Sequence, residues 1–108
     1  MRGYVITFFT QQDRRHRGEL LGEWMVNLAR EMGLPGATLI AGSMGYGHHR
    51  RIHSSHFFFE LADQPQEIQM AVSEEGAERL FERLRQEEVH VFFIKTPVEY
   101  GTLGEAES

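Results

Sequence analysis

The sequence of 108 residues contains no cysteine, which excludes disulfide bonds, thiolate nucleophiles and zinc sites built on cysteine. It also lacks any apolar run close to the roughly 20 residues that span a bilayer. Its first residues, Met1-Arg2-Gly3-Tyr4, do not have the organisation of a signal peptide. These absences predict a cytoplasmic protein that is not itself a membrane protein.

Basic residues are fewer than acidic ones: the chain has 11 lysines and arginines and 16 aspartates and glutamates, which gives a formal net charge of −5. This balance does not favour nucleic acid as a partner. Hydrophobic residues, by contrast, make up 41% of the chain and include eight phenylalanines, which is enough to form a packed core. We expect a single domain over residues 1–97, followed by an acidic C-terminal tail over residues 98–108.

Hydrophobic periodicity predicts four core strands and two helices. Apolar residues recur with a helical period over residues 20–32, and Trp24 lies within this apolar stripe as a predicted core residue. Ser73 is a favourable N-cap for the second helix, whose surface carries Arg83 and Glu87 at i, i+4 spacing. The predicted strands cover residues 4–10, 37–41, 68–72 and 89–94. The second of them carries no charge, which predicts a central position in the sheet.

This order of elements predicts an α+β fold, the ferredoxin-like βαββαβ sandwich. In that fold an antiparallel sheet carries two helices on one face, and here an extended loop or strand segment lies between the second and third core strands. In strands 4–10 and 89–94, large apolar residues occupy even-numbered as well as odd-numbered positions, so both faces of each strand are apolar. Because one layer of helices covers only one face, we expect an oligomer to bury the other.

The densest chemical feature is the segment 48–56, which holds four histidines and two arginines. In a first interpretation it is an anion site, where Gly45 and Gly47 let backbone N–H groups line a concavity and Arg51 binds a phosphate or carboxylate beside His53. In a second, imidazoles bind zinc, copper or nickel, and the candidate metal ligands are His48, His49, His53 and His56. In a third, the segment is a solvated polar loop.

A shorter basic run precedes the first helix. Because helix N-termini favour anions, Arg14, Arg15 and His16 are candidates for a second wall of an anion site. The segment 57–59 consists of three phenylalanines and is a candidate contact surface for a ligand-free interaction module. No serine lies in a nucleophile-elbow pattern, so a hydrolase or transferase lacks a nucleophile and we expect no enzyme.

Four segments occur in a specific order and spacing: Glu31-Met32-Gly33-Leu34-Pro35-Gly36-Ala37-Thr38, Gly42-Ser43-Met44-Gly45-Tyr46-Gly47, Arg51-Ile52-His53 and Ser73-Glu74-Glu75. In these segments the chain resembles the domain-of-unknown-function 190 family, which is grouped with the nitrogen-regulatory PII-like proteins. The resemblance covers nearly all of residues 1–97. It implies a ferredoxin-like subunit that assembles into a homotrimer with the sheets facing inward.

PII-like proteins carry a long mobile T-loop, which corresponds by position to residues 46–64. The resemblance implies small effectors, often adenine nucleotides, in clefts between subunits, and a signal passed to a membrane transporter or an enzyme. The connection 86–90 corresponds to another wall of the cleft. PII proteins have a glycine-rich turn and a lysine there, whereas this chain has Gln86-Glu87-Glu88-Val89, and we expect these two carboxylates to repel phosphate.

Residues and resemblance together predict a PII-like regulatory protein that binds a small anionic ligand. The predicted ligand-binding residues are Gly45, Gly47, Arg51 and His53, with Arg14, Arg15 and His16 as the second wall. The alternatives are a transition-metal-binding protein that uses the histidines of segment 48–56, and a ligand-free interaction module.

Overall fold

The computed structural model describes residues 1–42, 44–45, 53–54 and 64–104. Two helices and eight strands are formed in this part of the chain. The strands are β1 (Arg2–Gln11), β2 (Arg15–His16), β3 (Glu19–Leu20), β4 (Ala37–Ala41), β5 (Met44–Gly45), β6 (His53–Ser54), β7 (Pro65–Ser73) and β8 (Phe92–Glu99); the helices are α1 (Leu21–Glu31) and α2 (Glu74–Gln86).

Four of the strands form the main sheet, in the order β4-β7-β1-β8, with every neighbouring pair antiparallel. β1 and β4 are therefore parallel and are separated by β7, while β7 and β8 are parallel and separated by β1. Each β-α-β unit thus crosses over one strand of the other unit. This is the ferredoxin-like arrangement, and the predicted fold class is confirmed.

The core lies between the sheet and the two helices. Alternate residues of the central strands point toward the helices, including Ile6 and Phe8 of β1 and Ile68 of β7, which are fully buried. The helices contribute the apolar side chains that their 3.6-residue period places on one face, and the buried ones are Leu21, Met25, Leu28 and Ala29 of α1 and Ala77, Leu80 and Leu84 of α2. Both helices pack on the same face of the sheet, as predicted.

The ends of the helices are defined by local hydrogen bonds. Ser73 caps α2 as predicted, since its hydroxyl oxygen accepts a hydrogen bond of 2.9 Å from the Gly76 N–H. At the other end of α2, the backbone N–H of Val89 donates to the carbonyl of Leu84, which forms a Schellman motif with Glu88 at the left-handed position.

The second face of the sheet carries no helix, and apolar side chains are exposed on it. Register places Ile40, Phe9 and Phe92 in one row across this face, together with Glu67. The Phe9 and Phe92 rings lie 5.6 Å apart between centroids, and Phe92 is 70% exposed. The prediction that the strands are apolar on both faces is therefore confirmed. We call this surface the open face.

Two details of the strand predictions are wrong. β4 is an edge strand, not a central one, because its lack of charge reflects an exposed apolar surface at Leu39 and Ile40 rather than burial on both sides. The last strand covers Phe92–Glu99 instead of residues 89–94. It begins later because the Schellman motif of α2 holds Glu88 and Val89, and it ends later because its pairing with β1 continues to Arg2. Among the described residues, no helix has the length and apolar content to cross a membrane.

Candidate functional site

One end of the main sheet brings together the segments that carry the predicted site. β1 and β4 end there, and β7 and β8 begin there. Backbone hydrogen bonds join these segments, since the Gln12 N–H donates to the Gln64 carbonyl (2.8 Å) and the Gly42 N–H to the Pro65 carbonyl (2.7 Å). The run after β1 and both ends of the segment 43–63 therefore meet at the same end of the sheet.

The basic run ahead of α1 forms a hairpin of β2 and β3. Its two-residue turn, Arg17-Gly18, has positive φ at both residues (52° and 84°), as a type I′ hairpin turn requires. The hairpin is closed onto α1 because the Leu21 N–H donates to the Arg14 carbonyl at 2.7 Å. Four consecutive cationic or titratable side chains, residues 14–17, are thereby held on a tight turn.

His16 faces the protein from this hairpin. Its ring packs against Trp24, with 4.3 Å between ring centroids, and its Nε2 lies 3.1 Å from Oε1 of Glu87. An ionised carboxylate only accepts hydrogen bonds, so Nε2 carries the proton in this contact. Trp24, predicted as a core residue, is thus half-buried beside the candidate site.

Glu87, the C-cap residue of α2, is the centre of the charge network. Besides His16, Arg17 contacts its Oε1 through Nε at 2.9 Å, and Arg83 contacts its Oε2 through Nε at 3.3 Å. The hydrogen bond from His16 is the main cause that lowers the pKa of Glu87 below its ordinary value; partial burial opposes the shift, and Arg83 and Arg17 add to it. The carboxylate is therefore ionised and fully engaged.

Arg14 joins the hairpin to the connection between α2 and β8. Its guanidinium donates through Nη2 to the backbone carbonyl of His90, and partial burial lowers its pKa, although arginine remains protonated. Arg15 donates to the Gly18 carbonyl at 2.9 Å and is exposed. The hairpin and the connection 86–90 are thus in direct contact at this end of the sheet.

Two buried oxygens lie close in sequence to the hairpin, at the end of β1. Thr10 Oγ1, near the end of β1, and Gln12 Oε1, just beyond it, have no hydrogen-bond partner within the described part of the chain. Buried polar atoms are usually paired. These two atoms therefore add hydrogen-bonding capacity at the same end of the sheet.

The predicted loop residues fall partly within the described part of the chain. Gly45 and His53 are backbone partners in the short β5–β6 ladder. The other predicted residues lie outside the described residues: Gly47, His48, His49, Arg51, His56 and the segment 57–59. The metal interpretation rests on three of these histidines, and within the described residues no three His, Asp or Glu side chains are grouped to hold a metal ion.

Sequence reasoning missed the contacts that His16 and Arg17 of the hairpin make with Glu87. The Arg83–Glu87 pair is predicted from its spacing and is present, but the sequence places Glu87 on a solvated helix surface. The expectation that Glu87 and Glu88 repel phosphate stays a prediction, and the charge of Glu87 is opposed by His16 and two arginines. The only local signal was the Arg17-Gly18 pair, which suits a tight turn.

The fold is similar to that of solved PII-like proteins. One is CPII, a nitrogen regulatory PII-like protein from Thiomonas intermedia K12, bound to ADP, AMP and bicarbonate; it has a TM-score of 0.69 and 19% identity, covering 94% of this chain and 91% of that chain. Another, named as a PII-like signaling protein from Thermus thermophilus, has a TM-score of 0.58 and 24% identity, covering 91% and 86%. At these identities the similarity shows a shared PII-like fold.

Sequence comparison gives the family. A UPF0166 protein from Aquifex aeolicus (strain VF5) is 26% identical over 81 residues, which are 75% of this chain and 77% of that protein. The DUF190 family, described as "Uncharacterized ACR, COG1993", matches residues 3–99. Because this match spans nearly the whole chain, the protein belongs to the DUF190 family.

Proposed function

We propose that the protein is a PII-like regulatory protein that binds an adenine nucleotide through its phosphates at the cleft between the β2–β3 hairpin and the connection 86–90. The observation that carries the proposal is the concentration of Arg14, Arg15, His16 and Arg17 on one tight hairpin at the end of the sheet. CPII, which shares the fold, is bound to ADP and AMP.

The charges of the hairpin favour a phosphate-bearing ligand. Arginine binds phosphate through two parallel N–H···O bonds, and Arg15 is exposed with its only contact to a backbone carbonyl within the described residues. Arg14 is held in place by the His90 carbonyl, so it does not have to be ordered when a ligand arrives. We also propose Gly45, Gly47, Arg51 and His53 as ligand-binding residues.

We propose that the open face joins three copies into a homotrimer, with ligand clefts between subunits. Phe92 and Ile94 are about half or more exposed, and Ile40 lies in the same row as Phe92. A continuous apolar face of this kind is usually covered in an assembly. A domain of residues 1–97 would form each subunit, with residues 98–108 as a tail.

The regulatory output is proposed to pass through the segment 46–64 to a protein partner, a membrane transporter or an enzyme, in the cytoplasm. Binding that orders a segment and thereby changes a docking surface is an order–disorder switch. In this proposal the protein catalyses no reaction itself.

Trp24 allows the ligand proposal to be tested directly. It is the only tryptophan of the chain and its ring contacts His16, so its fluorescence should change when the cleft fills. We expect saturable changes with ADP and AMP but not with adenosine. Isothermal titration provides the affinity independently of fluorescence.

The matched variants are Arg14→Ala and Arg30→Ala. Both remove one arginine, but Arg30 lies in the last turn of α1 and contacts Asn27. A hydrogen bond between charged groups is worth about 1.5–3 kcal/mol, so Arg14→Ala should weaken ADP binding about 10- to 100-fold while Arg30→Ala leaves it unchanged. The proposal would be refuted if Arg14→Ala and Arg30→Ala lost the same affinity for ADP, or if the wild type did not bind ADP.

Assembly is tested by light scattering coupled to size-exclusion chromatography. The wild type should elute at three times the chain mass of 12.5 kDa. Phe92→Ser should reduce this mass, whereas Leu103→Ser, which alters a still more exposed apolar residue outside the sheet, should not. A monomeric wild type contradicts the proposed trimer.

A further inference from the structure

The carboxylate of Glu87 is surrounded by cationic hydrogen-bond donors, as a bound anion would be. Three donors from three different places in the fold converge on it: His16 from β2 at 3.1 Å, Arg17 from the hairpin turn at 2.9 Å and Arg83 from α2 at 3.3 Å. Both carboxylate oxygens are used, and the side chain is only 17% exposed. A cluster of two guanidinium groups and an imidazole around one carboxylate has the chemistry of an anion site.

The backbone on both sides of this contact is strained. Arg17 (φ 52°) and Glu88 (φ 58°) are the two residues other than glycine that have positive φ within the described part of the chain. One is the partner of Glu87 and the other follows it directly. The type I′ turn and the Schellman motif require these conformations, and the two motifs bring Arg17 and Glu87 together.

We infer that Glu87 is an internal competitor, which occupies the phosphate position of the cleft until a ligand phosphate displaces it from His16, Arg17 and Arg83. This inference rests on the proposed function, because it assigns a phosphate-bearing ligand to the same cleft. Phosphate presents more charge and more acceptor oxygens than a carboxylate. It is therefore a stronger ligand for the same donors once Glu87 has moved.

The competition lowers the apparent affinity of the cleft. A ligand that binds only when Glu87 has left has a dissociation constant raised by the inverse of the free fraction. If the carboxylate holds the donors nine-tenths of the time, its removal tightens binding about tenfold. Displacement also releases α2 from the hairpin, so ligand binding changes the contacts of both elements.

Glu87→Gln tests the inference, with Glu82→Gln as the matched control. Glutamine keeps the shape and removes the charge, and Glu82 is an exposed glutamate of the same helix that pairs with Arg85 at 3.2 Å. The probes are ADP, inorganic pyrophosphate and adenosine, at one ionic strength. We expect Glu87→Gln to bind ADP and pyrophosphate about tenfold more tightly than the wild type, while Glu82→Gln matches the wild type and adenosine binding is unchanged in both variants.

The probes separate the sources of the phosphate. If Glu87→Gln binds both ADP and pyrophosphate more tightly than the wild type does, the site recognises the phosphate groups alone. If only ADP binds more tightly, the site recognises the whole nucleotide. If the wild type binds ADP but Glu87→Gln binds it no better, the inference is wrong and the proposed function stands. If neither protein binds ADP or pyrophosphate, both are wrong.

Arg17→Gly decides the question if Glu87→Gln does not fold. Glycine suits the positive φ of this turn position, so this variant should keep the hairpin while one cation of the pocket is lost. The proposal requires that it binds pyrophosphate and ADP at least about tenfold more weakly. Unchanged binding by Arg17→Gly would show that the donors around Glu87 are not a phosphate site.

Discussion

The two helices end in the same motif but with different residues at its left-handed position, and this gives a measurable prediction. In α1 the position is Gly33 (φ 73°), and in α2 it is Glu88 (φ 58°). Glu88 is exposed and makes no hydrogen bond or ion pair that involves its side chain within the described residues. Replacing Glu88 by glycine should therefore stabilise the protein.

The magnitude follows from two opposing effects. Holding a residue other than glycine in the left-handed conformation lowers the free energy of unfolding by about 1–2 kcal/mol, and glycine removes this cost. Glycine also increases the conformational entropy of the unfolded chain, which lowers the free energy of unfolding by about 0.4–1 kcal/mol. The net gain for Glu88→Gly is then about 0.5–1 kcal/mol, or roughly 2–6 °C in the melting temperature of a domain of this size. Glu88→Ala provides the reference, because it removes the same carboxylate and keeps the Cβ.

The assay is urea unfolding at a fixed protein concentration, since self-association would otherwise add to the apparent stability. The free energy of unfolding of Glu88→Gly should be higher than that of Glu88→Ala by about 0.5–1 kcal/mol. Gly33→Ala should show the reverse effect of the same size, because an added Cβ meets no atom within 4 Å there and only the backbone conformation is penalised. If Glu88→Gly is no more stable than Glu88→Ala, the left-handed conformation is not a cost and the reasoning fails.

Two further predictions concern α2. Ser73→Ala removes the hydrogen bond to the Gly76 N–H and should lower the free energy of unfolding by about 1 kcal/mol; Ser73→Asp, which keeps an acceptor, should not. Because the pKa of Glu87 is lowered in the folded protein, its ion pairs add stability above the ordinary carboxyl pKa of 4.5 and lose it as the pH falls through the folded value. The wild type should therefore unfold at a higher urea concentration than Glu87→Gln near neutral pH, and this difference should disappear as the pH falls below about 4.5. A difference that does not change with pH would contradict the prediction.

Much of the fold is predictable because its signals are local. The apolar period of residues 20–32 and the alternation of residues 68–72 reflect burial on one face, which neighbouring residues alone determine. The cap at Ser73 depends on a hydrogen bond three residues away. By contrast, the position of β4 at the sheet edge depends on which strand lies between β1 and β4, and no local pattern contains that information.

The candidate site was less predictable for the same reason. Arg83 and Glu87 are four residues apart on one helix, so their pairing is predicted from spacing. Arg17 and Glu87 are far apart in sequence and meet only because the hairpin folds against the end of α2. The sequence could identify the basic run of residues 14–17, but it could not show which carboxylate that run would meet.

The order of the strands determines when the sheet can form during synthesis on the ribosome. β1 emerges first, yet its neighbours β7 and β8 are both made from residues after position 64. β4 also pairs only with β7, so no two strands of the main sheet can pair before β7 has left the exit tunnel. The nascent chain thus carries Phe8 and Phe9 on an unpaired strand until β7 has emerged. The main sheet therefore forms late relative to the synthesis of its first strand, and aromatic side chains stay exposed in the interval.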